Sequence, residues 1–307
     1  MNLSTQPKRS LLKRIFISPS EPRLRSGWRL AIQTIIMVVL LIFLSIPFEI
    51  LALAFHWDPS SDSFFFANTV VELFAFSISV LLARRFLDRR SFAGLGFKFD
   101  RKVLTDLLAG ILITLIMMGS IYLVMGRLGW LRFRDFSWHI DPFRLVLGQV
   151  LFFFLIFITV GFQEELLFRG YQLQTVASGI NLFWGIVLSS LFFGFLHLTN
   201  PNSTLISALG IFFAGVFLSL GYLWTGRLWL SIGLHIGWNF FEGVVFGFPV
   251  SGLAIYPLLR IDVTGPGLWT GGAFGPEAGL IVLPALSLGA VLVYLYCRLR
   301  GQESPRI

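Results

Sequence analysis

Polar and charged residues fall in short clusters along this chain, separated by apolar stretches of about 20 residues. That is the length needed to cross a ~30 Å hydrocarbon layer at 1.5 Å per residue of helix. The run Leu151-Phe152-Phe153-Phe154-Leu155-Ile156-Phe157 is apolar on every face, whereas the strands of a membrane barrel alternate apolar and polar residues. The pattern predicts eight helical spans, over residues 30–55, 64–83, 103–126, 144–176, 182–199, 203–225, 228–247 and 278–298. The expected fold class is therefore all-α, a polytopic transmembrane helical bundle. Residues 30–298 form its single domain, between a basic tail at 1–29 and a short basic tail at 299–307. The first apolar run is too long for the core of a cleavable signal peptide and reads as a retained span. The Gly- and Pro-rich segment from Phe248 to Glu277 is too polar to span and reads as an outer loop, in part re-entrant.

Composition strengthens the membrane reading. The chain is 56% hydrophobic and 13% charged, with a mean hydropathy of +0.80, more apolar than a soluble domain of this size requires. The net charge of +8 does not point to nucleic acid, because the basic residues flank apolar segments, where anionic lipid is the natural partner. One block is Lys8, Arg9, Lys13, Arg14, Arg23, Arg25 and Arg29, and the other is Arg84, Arg85, Arg89, Arg90, Lys98, Arg101 and Lys102. The positive-inside rule puts both blocks in the cytoplasm. An even number of spans then brings both termini to that side of what is expected to be the cell membrane, in agreement with Arg298, Arg300 and Arg306. The connection after the third span fits less well, with Arg127, Arg132 and Arg134 beside Asp135 and Asp141. The single cysteine, Cys297, can form neither an intramolecular disulfide nor a thiolate metal cluster.

Ionisable side chains inside such spans cost about 2.5–3.5 kcal/mol at the bilayer centre even on lenient scales, so they mark partners or wet cavities. The densest group is Gln163-Glu164-Glu165-Leu166-Leu167-Phe168-Arg169-Gly170. Glu165 and Arg169 stand one helical turn apart, where an ion pair forms without distorting the backbone, and a self-neutralised pair reads as structural. Glu164 is rotated about 100° from that pair and left free. In the fifth span Phe193 and His197 share a face at i and i+4, and in the seventh His235 and Asn239 do the same. The remaining histidines, His56 and His139, fall in loops. Glu49, Glu72 and Glu242 are weaker candidates, the last two without a cationic neighbour in sequence.

In this order, Glu-Glu-x-x-x-Arg, Phe-x-x-x-His and His-x-x-x-Asn on successive hydrophobic segments resemble the signature of the CAAX prenyl endopeptidase and bacteriocin-processing (CPBP, or Abi) family of intramembrane proteases, over about residues 144–247. The resemblance implies that Glu164 and His197 polarise a water that attacks the scissile carbonyl, that His235 and Asn239 stabilise the oxyanion, and that Glu165, Arg169 and Phe193 support the site. It implies a peptide or lipidated, leader-bearing protein as substrate. No cofactor is favoured, although zinc on Glu164, His197 and His235 with an open fourth position is the alternative; an Asn ligand would be unusual for zinc, and the metal-free mechanism is preferred.

Two rival functions use the same residues. A proton- or ion-coupled transporter would need a relay of buried Glu, His and Arg, but the inverted repeats frequent in such carriers are not visible. A non-catalytic membrane scaffold or immunity factor would keep the fold without turnover. Geometry sets one internal test. Glu164 lies about 20 Å from the cytoplasmic end of its helix, while His235 lies only about 12 Å beyond Arg227, so the seventh span must tilt or start deeper for the two to meet.

Overall fold

Each predicted apolar stretch forms a helix in the computed structural model, which describes residues 10–19, 21–59 and 61–302. Of the basic residues used to orient the chain, Lys8, Arg9 and Arg306 lie outside the described residues. The helices are α1 (Ser26–Ala54), α2 (Asp62–Leu82), α3 (Lys102–Arg127), α4 (Phe143–Glu165), α5 (Leu182–Leu196), α6 (Leu205–Thr225), α7 (Trp229–Asn239) and α8 (Val282–Leu299). Among the described residues seven helical segments are long and apolar enough to cross a membrane, counting every one of these but α7. Local chemistry sets several of the ends. Ser61 caps α2 by accepting from Phe64 N, Asn181 caps α5 by accepting from Trp184 N, and Thr204 and Ser207 form a capping box on α6.

Three features depart from the sequence expectation. First, the fourth helix is not α throughout: after Glu165 it widens into a π-helical stretch, Leu166–Leu173, before α-helix resumes over Gln174–Gly179. Two further π turns, Ala83–Leu87 and Phe240–Val245, continue α2 and α7. Such turns are rare and concentrate at functional sites, and side-chain periodicity carries no sign of them. Second, the bundle is nearly but not purely α. The segment read as an outer loop, in part re-entrant, contributes β2 (Leu259–Val263), which pairs antiparallel with β1 (Leu131–Phe136) across a bulge between Phe133 and Asp135. Both strands alternate apolar and charged residues, a short period-2 signal that long apolar runs obscure. Arg134 pairs with Asp262 and Arg260 with Asp141 on this ribbon, which locally neutralises part of the loop whose positive charge fits the topology poorly. Third, α1 begins at Ser26 and α8 at Val282, each four residues later or earlier than expected.

Both described chain ends lie at one end of the bundle. Arg29 pairs with Asp88 at the foot of α2, Arg90 with Glu21 at 2.9 Å, and Arg300 with Asp106 at the start of α3. Arg227 clamps Asp100 at the same end, and the guanidinium holds that carboxyl well below the usual carboxylate range.

The middle of the bundle is α7, of which every residue after Trp229 is buried. It packs against α3, α4 and α6. Its start is covered by the short helix Phe92–Leu95 and the residues that follow, where Leu228 N donates to Gly96 O. The Leu228 side chain lies close to Gly170. From Leu228 to His235 is about 10 Å of helix and from Gly170 back to Glu164 about 9 Å, so the two residues come to one depth. The seventh span starts deeper, which resolves the geometric conflict.

Candidate active site

A cavity of about 360 Å³ is lined by Glu164 from α4, His197 from the turn that ends α5, and His235 and Asn239 from α7. All four motif residues singled out in the sequence therefore meet. The site is held together by a buried charge relay. Arg169 Nη1 donates to Glu165 Oε1 at 2.7 Å, and Arg169 Nη2 donates to the Gly215 carbonyl at 2.9 Å. The same Glu165 Oε1 lies 2.9 Å from His235 Nδ1. Because a carboxylate oxygen accepts, Nδ1 of His235 carries the proton and Nε2 is aimed the other way, where Glu164 Oε2 lies 3.5 Å away. The Glu165–Arg169 pair is thus more than an isolated ion pair: it orients the seventh-span imidazole. Sequence reasoning found the pair through its i,i+4 spacing and missed its third member, which is 70 residues distant.

His197 is oriented by the same logic. Its Nδ1 is 2.8 Å from the Phe193 carbonyl, so Nδ1 donates and Nε2 remains an acceptor. Phe193 stands between the two imidazoles, with ring centroids 4.6 Å from His197 and 6.0 Å from His235, both edge-on. The Arg169 guanidinium lies over the Phe193 ring at 4.7 Å, a cation–π contact of the kind that strengthens away from water. One aromatic side chain therefore couples the ion pair to both histidines.

Two further carboxyl groups reach the cavity. Glu72 of α2 accepts from Gln163 Nε2 at 3.3 Å. Glu277 accepts from Trp238 Nε1 at 3.0 Å and from Ser251 N and Oγ at 2.8 and 2.6 Å. Glu277 arrives on the segment read as an outer loop, folded back into the bundle by glycine turns. Gly275 has φ of +110°, and a Cβ there would strike the Pro249 carbonyl, so no other residue suits the position. The glycine density supported the partly re-entrant reading of this loop, but nothing local singles out Glu277 as the residue it brings inward.

Among the described residues no group of three or more His, Cys, Asp or Glu is arranged to hold a metal ion. Glu164, His197 and His235 share the cavity without forming such a cluster.

The bundle, with this polar cavity inside it, belongs to the class of polytopic helical membrane proteins. The model of the type II CAAX prenyl endopeptidase Rce1-like family matches residues 146–241, a segment containing all three motifs. Over that segment the chain is similar to the CPBP, or CAAX protease, family of membrane proteases. Among curated proteins no match to the chain was found.

Proposed function

We propose that this protein is an intramembrane endopeptidase that uses Glu164, His197, His235 and Asn239, without a metal, to cleave a peptide bond of a membrane-associated substrate, either prenylated or leader-bearing. The observation that carries this reading is the convergence of one carboxyl, two imidazoles and an amide from three helices on one cavity. In the proposed reaction the water lies between Glu164 and His197 Nε2. Glu164 takes its proton as the oxygen attacks the scissile carbonyl, and His197 accepts the second water hydrogen bond. The developing oxyanion accepts from Asn239 Nδ2 and His235 Nε2. For His235 to donate from both ring nitrogens it must be an imidazolium, and the carboxylates at 2.9 and 3.5 Å supply the negative charge that such a cation needs. The apolar side of the cavity, including Met37, Val38 and Leu41 of α1, suits a substrate that arrives from the lipid.

The test uses protein purified in detergent with a prenylated CAAX-like peptide and a leader peptide. Glu164→Ala, His197→Ala and His235→Ala are each expected to lower turnover by ~10² or more, while chelators leave the wild-type rate intact. Cleavage that persists in all three variants removes the site assignment. Loss of activity with a chelator, restored by zinc, overturns the metal-free mechanism.

A further inference from the structure

Peptide hydrolysis needs two proton transfers: the water loses a proton when it attacks, and the amine nitrogen must gain one when the C–N bond breaks. The residues assigned so far act on the water and the oxyanion, and a separate acid at the nitrogen leaves Glu164 to hold the water's proton and His235 to hold the oxyanion. Asn239 is neither acid nor base, and Glu165 is sealed beneath Arg169 and His235. Glu277 accepts from three donors, which hold it as an acceptor. Glu72 differs from all of these. It lines the cavity from α2, on the stripe formed by Phe65, Thr69, Glu72 and Phe76, whose spacing keeps one helix face toward the site. Only its Oε2 is engaged, by Gln163, the residue immediately before Glu164 on α4; Oε1 has no hydrogen bond among the described residues. Glu72 and Glu164 line the same cavity. Two carboxyl groups sharing one small cavity inside an apolar bundle repel as a doubly charged pair, and one that keeps its proton beside one that has lost it makes an acid and base pair. Glu72 lies outside the family-matched segment.

We infer that Glu72 is a further catalytic residue, the acid that protonates the departing amine; the inference rests on the proteolytic reading above. The water oxygen bonds to the carbonyl carbon and its proton passes to Glu164. The C–N bond then breaks as the proton of Glu72 Oε1 moves to nitrogen. The proton held by Glu164 returns to Glu72 through water in the cavity, so peptide and water yield acid and amine with no other reactant.

The experiment compares two substrates of one sequence, with the scissile amide in one replaced by an ester in the other. An alkoxide leaves far more readily than an unprotonated amine, so the ester needs the acid much less. Glu72→Gln is expected to lower kcat on the amide by ~10² or more while changing ester cleavage by less than about tenfold, and Glu72→Asp to recover part of the amide rate. Retained ester cleavage also shows that the variant is folded. Equal losses on both substrates, or an unchanged amide rate, overturn the assignment of Glu72 alone. Failure of the wild type to cleave either substrate overturns the proteolytic reading and this inference with it.

Discussion

At the scale of residues, the most consequential group is Glu165, a fully buried carboxylate whose Oε1 serves both Arg169 and His235. Removing one partner of a buried pair leaves an uncompensated charge, at a cost of about 3–5 kcal/mol. Glu165→Gln is therefore expected to lower the Tm sharply in detergent. The double variant Glu165→Gln/Arg169→Met removes both charges and is expected to recover most of that stability, yet turnover should stay ~10² or more below wild type because His235 has lost the acceptor that orients it. Recovery of both together would reduce the relay to a packing role. The motif residues themselves were legible because each motif is a relation within one helical turn: Glu165 with Arg169, Phe193 with His197, His235 with Asn239. The links between motifs were not, since Glu165 to His235 and Gln163 to Glu72 join residues far apart in the chain, and no local spacing encodes them.

At the scale of elements, the helices followed from apolar run length, while their contacts depend on small residues. Where α3 crosses α7, Cβ atoms at Gly110 or Gly233 would collide with backbone of the facing helix, at Leu234 and at Leu107 respectively. Close approach through small residues is how helices associate in lipid, where the hydrophobic effect between them is lost. Gly233→Val is expected to destabilise the protein by more than about 2 kcal/mol, and to disturb His235 two residues on. Gly148 on α4 makes the control: nothing lies within 4 Å of a Cβ there, so Gly148→Ala should be neutral or add about 0.5–1 kcal/mol. Thermal unfolding in detergent separates the two; similar values for both variants would sink the packing argument. The π turns after Glu165 and Asn239 escaped the sequence because helical periodicity cannot register one extra residue in a turn.

At the scale of the whole molecule, Arg29, Arg90, Arg227 and Arg300 all find acidic partners at the end that holds both described chain ends. By the positive-inside rule the expected orientation has both tails in the cytoplasm and the β1–β2 ribbon outside. Fluorescent reporters that mature only in the cytoplasm, fused before Ser10 and after Gln302, should both light up, and one inserted near Gly265 should stay dark; a split result for the two ends would contradict the eight-crossing topology. The chain's own residues determined the solvent it folds in, its helical spans and the three motifs, since hydrocarbon thickness and unsatisfied backbone groups leave long apolar runs no option but helix. Only the tertiary structure decided that α7 starts deep, that Glu277 is the residue the partly re-entrant loop brings to the cavity, and that Glu72 lines that cavity with Glu164. Those outcomes depend on how separate helices pack side by side, and that information is spread over the whole chain and held in no single stretch of it.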